Sequence, residues 1–225
     1  MLFIMLTGLE NVSSIVFDFD YTLVDSSAAS IECISFALKQ MNLTVPSPEL
    51  IRKTIGMSLE DTLKALVQID DPKSGQEFRR LFGCRADEVM LDNMFFLDGV
   101  RPVLKDLKHR NLSLGIVSNK YRYRIEAFLS RENLKEEIDV IVGFEDAPKP
   151  KPDPSGLLMA VDKMGGFPNR TIYVGDSIID AETACRIGMR FVATLTGVTP
   201  QKDFVIYSPC CFINNLPELP PLLAR

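Results

Sequence analysis

The sequence predicts an α/β protein: a mostly parallel sheet with helices on both faces, and an inserted all-helical domain. Five apolar, β-branched runs have the composition of buried strands. Helical patterns separate most of these runs, and this alternation is typical of a parallel sheet. The long interval after the first run contains helix signals but no convincing strand, which indicates an inserted domain.

Five strands and a weaker sixth are predicted to form the sheet. They are SIVFDF at 14–19, LSLGIVS at 112–118, DVIVGF at 139–144, TIYVGD at 171–176, RFVATL at 190–195 and the weaker CFIN at 211–214. Helices are predicted between the later strands in KYRYRIEAFLSRENL, in PSGLLMAVDKMG and in SIIDAETACRIG. Gly165 and Gly188 are predicted to end the last two of these helices.

The helical insert is predicted to span residues 26–98, which leaves residues 1–25 and 99–225 as the core. Inside the insert, Ser58 begins a capping-box pattern that marks a helix start. A later helix is predicted from about Ala86 to Phe96.

Composition and charge exclude several classes of protein. The chain has 225 residues, a net charge of −5 and no basic cluster, so neither nucleic acid nor a membrane is expected as a partner. The first ten residues lack a signal-peptide pattern, Met5 is an alternative start, and no apolar run approaches the ~20 residues that span a bilayer. Five cysteines without a C-x-x-C motif are typical of reduced thiols, so a cytoplasmic location is expected. The single histidine, His109, excludes a His-rich metal site.

Polar side chains follow four of the predicted strands, at the edge where parallel α/β sheets bind ligands. They are Asp18 with Asp20, Ser118 with Asn119, Lys149, and Asp176 with Asp180. Three carboxylates at one edge need a cation among them or a raised pKa. Oxygen ligands without His or Cys favour Mg²⁺, and Mg²⁺ beside Lys and Ser donors suits a phosphate-like ligand.

The Asp18-Phe-Asp20 motif has other possible interpretations. An EF-hand loop beginning at Asp18 requires glycine at its sixth position and an acid at its twelfth, where this chain has Leu23 and Ala29. A dinucleotide site requires G-x-G-x-x-G after the first strand, and that motif is missing from the sequence. The remaining alternative is that both aspartates are ordinary loop acids.

These residues resemble the haloacid dehalogenase (HAD) superfamily, in particular its phosphoglycolate phosphatase-like and β-phosphoglucomutase-like branch. The first family motif, D-x-D-x-T-L-x-D-S, is matched from Asp18 to Ser26, and the second is a serine after a strand, Ser118. KPKPD at 149–153 is similar to the third, and GDSIID at 175–180 to the fourth. Tyr21 departs from the pattern, because many relatives have glycine there, and we expect it to alter the turn or to line the entrance of the site.

The resemblance implies that the sheet is a Rossmann-like core and that the helical insert is a cap domain. It also implies a role for each residue. Asp18 is the nucleophile that forms an aspartyl phosphate, and Asp20 is the general acid and base. The metal site consists of Asp18, the main-chain carbonyl of Asp20 and Asp176, with Mg²⁺ as the cofactor. Ser118, Asn119 and Lys149 bind the phosphoryl group, and Thr22 and Asp180 lie behind them. Lys151 is the rival of Lys149, which is favoured because only Lys149 begins K-P-x-P-D.

The expected activity is that of a phosphatase acting on a small phosphomonoester, phosphoglycolate-like in kind. A phosphomutase, a pyrophosphatase and a nucleotidase remain alternatives, and a non-catalytic binding module on the same fold is the alternative of a different class. Arg52, Lys53 and Gly56 of the insert are candidate substrate contacts. The expected assembly is a monomer or a homodimer.

Overall fold

The computed structural model describes residues 9–223, so the expectations for the extreme N-terminus, including a start at Met5, lie outside the described residues. The strands are β1 (Ser14–Phe17), β2 (Val24–Asp25), β3 (Phe95–Phe96), β4 (Ser113–Val117), β5 (Val140–Val142), β6 (Thr171–Gly175), β7 (Arg190–Thr194) and β8 (Cys211–Ile213). The helices are α1 (Ser27–Gln40), α2 (Pro48–Arg52), α3 (Leu59–Val67), α4 (Pro72–Val89), α5 (Val100–His109), α6 (Arg122–Arg131), α7 (Ser155–Lys163), α8 (Ile178–Cys185) and α9 (Leu219–Leu222). In this described part of the chain, no helix is long and apolar enough to cross a bilayer.

The chain divides into two compact units. The first contains the chain up to Leu23 and from Phe96 onward, and the second contains Val24–Phe95. The boundaries expected from the sequence, after residues 25 and 98, lie close to these positions. The first unit contains the sheet, and the second contains helices α1 to α4.

The sheet of the first unit has six strands in the order β5-β4-β1-β6-β7-β8. Every neighbouring pair is parallel. All six strands expected from apolar runs are present, so the predicted fold class is confirmed. The three helices expected between the later strands are α6, α7 and α8, and Gly165 and Gly188 follow α7 and α8 with left-handed φ values of 64° and 61°.

The strand register brings three strand ends level with one another. Phe17 at the end of β1 lies beside Ile116 of β4 and Val174 of β6. One residue further on, the Asp18 amide donates to the Val174 carbonyl at 2.9 Å. The residues that follow these strands therefore share one edge of the sheet.

One face of the sheet is covered by α7 and α8. The buried side chains there include Val16, Leu157, Val161, Phe191 and Phe204. Parallel strands buried in this way are near-continuously apolar, which explains why their sequences were recognisable. Tyr173 of β6 lies in the same core, fully buried, and is its polar exception.

The second unit is built from four helices, with α1 packed along α4. The predicted start at Ser58 is present, because its Oγ accepts the Asp61 amide at 3.1 Å. The helix expected over residues 86–96 is wrong: α4 ends at Val89, and Phe95–Phe96 forms the short strand β3.

Helix α4 begins earlier than expected, at Pro72, where the Asp71 side chain accepts the Ser74 amide at 2.9 Å. Its sequence contains Gly75 and Gly83, and each glycine inside a helix costs about 1 kcal/mol relative to alanine. Burial of Phe78 and its apolar neighbours offsets that cost, and helical propensity alone does not report such packing.

Candidate active site

Asp18 follows β1 directly and is buried, with 2% of its surface exposed. Its Oδ1 lies 2.6 Å from Nζ of Lys151. Burial raises the pKa of Asp18 and the charge of Asp180 raises it further, while Lys151 lowers it, so that the pKa is about 7. The ionised form of Asp18 is therefore disfavoured by burial and by Asp180 even with the Lys151 ammonium beside it.

Lys151 is the buried cation of the site. Its Nζ lies 2.6 Å from Oδ1 of Asp18, 2.6 Å from Oδ1 of Asp180 and 3.0 Å from the hydroxyl of Tyr173. Burial lowers the pKa of Lys151, but the two carboxylates outweigh burial and keep that pKa above its usual value. The side chain is therefore a permanent ammonium.

The expectation that Lys149 provides this ammonium is wrong. Lys149 is exposed, and Lys151 occupies the buried position. Asn119 provides the reason, because its Oδ1 accepts the Lys151 amide at 2.9 Å and its Nδ2 donates to the Lys151 carbonyl at 3.3 Å. The Asn119 side chain thus holds the loop that presents Lys151, a contact different from the phosphate binding expected for it.

Asp176 follows β6 and is buried beside the first strand end, with 4% of its surface exposed. Thr22 donates its hydroxyl to Oδ1 of Asp176 at 3.0 Å. Burial raises the pKa of Asp176 well above its usual value, and the charges of Asp180 and Asp18 add to that effect.

Asp180 lies in the first turn of α8 and is completely buried. Its Oδ1 accepts from Lys151 and, at 2.8 Å, from Tyr173. Its Oδ2 accepts from the amide of Ser177 at 3.1 Å and from the Ser177 hydroxyl at 2.6 Å. Both oxygens are therefore occupied, and Asp180 fixes the position of Lys151 rather than that of Lys149.

The acidic cluster fits a metal ion. One carboxylate oxygen from each of Asp18, Asp176 and Asp180 lies within 4.8 Å of the others. Among residues 9–223, Oδ2 of Asp18 and Oδ2 of Asp176 accept no hydrogen bond, whereas Asp180 is saturated. Two buried carboxylates with unused oxygens, in a site without His or Cys, have the donor chemistry that Mg²⁺ prefers.

Gly197, in the loop after β7, leaves room for this cluster. A Cβ atom built at Gly197 would overlap Oδ2 of Asp176. The missing side chain thus lets the loop approach the carboxylate closely without displacing it.

Ser118 and Asp20 are two further predicted site residues at the carboxyl edge of the sheet. Ser118 is 5% exposed, and its Oγ accepts the amide of Lys120 at 3.2 Å, which leaves the hydroxyl proton for a ligand. Asp20 is 6% exposed, and its Oδ1 lies 3.2 Å from Nζ of Lys120. The structure thus brings Asp18, Asp20, Ser118, Asp176 and Asp180 to the same edge of the sheet.

Tyr21 adopts the left-handed turn that the sequence analysis expected it to disturb. Its φ is 59°, a value that glycine reaches without strain and tyrosine does not. The Tyr21 side chain is buried, and its carbonyl accepts the hydroxyl of Thr196. The turn is therefore kept, and the ring is part of the interior.

The predicted substrate contacts of the insert lie around the end of α2. Arg52 and Lys53 are exposed, and Gly56 has a φ of 95° in the turn before α3. They belong to the second unit, and a role in substrate binding stays a prediction.

Two residues of the site, Lys120 and Tyr173, were not predicted from the sequence. Lys120 stands two positions after Ser118, and this proximity was a usable signal. Tyr173 offered none, because a tyrosine inside an apolar strand is most simply interpreted as core.

The parallel sheet and the acidic cluster at its edge define an α/β protein with a candidate metal site at the carboxyl ends of its strands. The sequence profile of the haloacid dehalogenase-like hydrolases matches residues 15–194, and the chain belongs to this family.

Curated relatives place the chain with the phosphatases of the family. It is 27% identical to a phosphoglycolate phosphatase of Salmonella choleraesuis (strain SC-B67), over 96% of this chain and 94% of the relative. It is 26% identical to the pyrophosphatase PpaX of Oceanobacillus iheyensis, over 93% of this chain and 95% of the relative. A crystal structure from Bacteroides fragilis, assigned to the haloacid dehalogenase-like hydrolases, is 36% identical, with a TM-score of 0.90 over 92% of this chain and 99% of that one. The chain is therefore an enzyme of the phosphatase class.

Proposed function

We propose that this chain is a Mg²⁺-dependent phosphatase that hydrolyses a small phosphomonoester of the phosphoglycolate type through an aspartyl phosphate on Asp18. The observation that carries the proposal is the position of Lys151, whose ammonium is buried between Asp18 and Asp180 beside the acidic cluster. Such a cation suits a reaction in which a carboxylate must approach a phosphate dianion. Full-length similarity to a phosphoglycolate phosphatase supports the choice of substrate.

In the first step, an oxygen of Asp18 attacks phosphorus. The new bond joins that oxygen to phosphorus, and the bond from phosphorus to the alcohol oxygen of the substrate breaks. Asp20 gives its proton to the departing alkoxide, so the alcohol leaves neutral at that oxygen. Lys151 and the hydroxyl of Ser118 donate to the phosphoryl oxygens as their charge redistributes.

In the second step, water attacks the phosphorus of the aspartyl phosphate. Asp20, now a carboxylate, accepts the proton of that water. The bond from phosphorus to Asp18 breaks, which releases inorganic phosphate and restores the carboxylate. Asp180 and Asn119 keep Lys151 in place through both steps.

Asp18, Asp176 and the main-chain carbonyl of Asp20 would hold the metal. When bound, Mg²⁺ supplies the positive charge that reduces repulsion between the attacking carboxylate and the phosphate.

A second candidate substrate is inorganic pyrophosphate, because a pyrophosphatase is also similar to the chain over nearly its whole length. The same residues would act, with phosphate in place of an alcohol as the leaving group. The expected phosphomutase alternative differs in outcome, since the phosphoryl group returns to a sugar instead of passing to water.

The test is phosphate release from purified full-length protein with a panel of phosphoglycolate, other small phosphomonoesters, nucleotides, pyrophosphate and hexose phosphates. Each substrate is measured with Mg²⁺ and with a chelator. Asp18→Asn removes the nucleophile. Asp153→Asn serves as the matched control, because Asp153 is an acid of the neighbouring loop whose Oδ1 accepts the nearby Ser155 amide at 3.0 Å and no other group among residues 9–223.

We expect Mg²⁺-dependent release that Asp18→Asn abolishes and Asp153→Asn preserves. Acid-quenched wild-type protein should carry the mass of one phosphoryl group on the peptide that contains Asp18. Conversion of β-glucose 1-phosphate to the 6-phosphate without release of phosphate would identify the activity as that of a phosphomutase instead of a phosphatase. Folded protein that releases phosphate from no member of the panel would contradict the proposal.

A further inference from the structure

The site contains a second buried cation, Lys120, that the proposed steps do not use. Its Nζ lies 3.2 Å from Oδ1 of Asp20, and each of the two side chains is 7% exposed. Lys151 pairs with Asp18 and Asp180 instead, so the two lysines serve different carboxylates. One ammonium thus lies at the candidate nucleophile and the other at the candidate acid.

The backbone of Lys120 is fixed in the loop that follows β4. Its amide donates to Oγ of Ser118 at 3.2 Å, and its carbonyl accepts the amide of Phe144 at 3.0 Å. These bonds place the residue beside the candidate phosphoryl-binding serine.

A purely structural role explains this pair poorly. Removing two charges from water costs about as much as their attraction returns, and an apolar pair of similar volume is often as stable. The charge of an ammonium acts on every anion within a few ångströms, so the Lys120 charge beside Asp20 also attracts an anionic group of a ligand there. Lys120 lies beside Asp20, the candidate proton donor, and therefore also beside the leaving group that Asp20 protonates.

We propose that Lys120 binds the negative charge of the substrate's leaving group and thereby selects phosphate compounds whose leaving group is itself an anion. This inference rests on the proposed function, because it takes Asp20 as the group that protonates the leaving oxygen. Glycolate carries its carboxylate one carbon from that oxygen, and pyrophosphate carries a second phosphate there. Both lie within reach of an ammonium that contacts Asp20, whereas a neutral alcohol gives Lys120 nothing to bind.

The test compares two esters that differ only in this charge. 2-Phosphoglycolate has a carboxylate where 2-hydroxyethyl phosphate has a CH₂OH group, and pyrophosphate is the third substrate. kcat/KM is measured for wild-type protein, Lys120→Met and Lys120→Arg, with Lys149→Met as the control for loss of an exposed lysine in the same region.

We expect Lys120→Met to reduce the preference for phosphoglycolate over 2-hydroxyethyl phosphate by about 10- to 100-fold, the effect of losing a charged hydrogen bond. The kcat/KM for pyrophosphate should fall in parallel, because its leaving phosphate is also an anion. A fall for pyrophosphate alone would show that Lys120 does not bind the carboxylate. Lys120→Arg should keep most of the preference, and Lys149→Met all of it.

An equal loss for the charged and the neutral ester would mean that Lys120 acts only through Asp20, and the inference would be overturned. Wild-type protein that hydrolyses both esters equally well would overturn it too. Hydrolysis of none of the three would instead count against the proposed function. In that case, calorimetric binding of phosphoglycolate and 2-hydroxyethyl phosphate to Asp18→Asn, with and without Lys120→Met, still decides whether Lys120 recognises the carboxylate.

Discussion

Nζ of Lys151 lies 2.6 Å from Oδ1 of Asp18, although 132 residues separate the two in the chain. This contact distinguishes Lys151 from Lys149, which stands only two positions earlier and is exposed. We expect Lys151→Met to lower kcat by about 10²- to 10³-fold, as the loss of a charged donor at a developing negative charge does in other enzymes.

Lys149→Met is the matched control, with the same substitution in the same loop, and should change kcat by less than about twofold. Phosphate release by both variants at saturating Mg²⁺ is the measurement. Equal losses in the two variants, or a larger loss in Lys149→Met, would contradict the assignment. Thermal melting of both variants should accompany the activity measurement. Lys151→Met leaves two buried carboxylates without their cation and should lower the free energy of unfolding by about 3–5 kcal/mol.

The Tyr173 hydroxyl positions the ammonium of Lys151. This hydroxyl lies 3.0 Å from Nζ of Lys151 and 2.8 Å from Oδ1 of Asp180, and the ring is fully buried. We expect Tyr173→Phe to lower kcat by about tenfold with little change in KM, because the loss of the hydroxyl removes its hydrogen bonds with Lys151 and Asp180 and leaves the ammonium less well oriented.

Tyr207→Phe is the control, since that ring packs against the same core and its hydroxyl makes no contact with the acidic cluster among the described residues. Steady-state kinetics of both variants, with the free energy of unfolding from denaturant titration, make the comparison. A loss of stability in Tyr173→Phe without any change in kcat would show that the hydroxyl serves the core alone.

The sequence alone predicted the sheet and most of the acidic residues, for a geometric reason. Parallel strands place their carboxyl ends at one edge, so Asp18, Ser118 and Asp176 could be assigned to one site from the ends of apolar runs. The choice between Lys149 and Lys151 depends on the hydrogen bonds that the Lys151 backbone makes with the Asn119 side chain, which lies far away in the sequence. Local pattern contains no information about such a contact.

The same limit explains the error in the helical unit. Helix α4 is specified by the burial of side chains such as Phe78 against other helices, while its glycines weaken the local signal. Tyr173 shows the reverse problem, because its strand was recognised and the direction of its hydroxyl was not.

Gly197 is expected to control metal affinity through its closeness to Asp176. A Cβ atom there would overlap Oδ2 of Asp176, so Gly197→Ala must displace either the loop or the carboxylate. We expect the Mg²⁺ concentration for half-maximal activity to rise by about 10-fold or more, within the range seen when groups that support metal ligands are altered.

Gly156→Ala is the control, because the nearest atom to its added Cβ is a side-chain carbon of Ala147 at 3.3 Å, away from the cluster. The measurement is phosphate release titrated with Mg²⁺, together with calorimetric Mg²⁺ binding in the absence of substrate. An unchanged Mg²⁺ affinity in Gly197→Ala would remove Asp176 Oδ2 from the proposed metal ligands.

Two opposing effects decide whether Tyr21→Gly raises or lowers the free energy of unfolding. The left-handed backbone of Tyr21, with a φ of 59°, costs about 1–2 kcal/mol that glycine would not incur. The residue is only 6% exposed, and truncation of a large buried aromatic side chain costs about 3–5 kcal/mol. Burial is the larger effect, so Tyr21→Gly should lower the free energy of unfolding by about 2 kcal/mol. Denaturant titration of wild type, Tyr21→Gly and Tyr21→Phe separates the two contributions, since Tyr21→Phe keeps the ring and the strain. A Tyr21→Gly variant more stable than wild type would mean that backbone strain, and not the ring, dominates this turn.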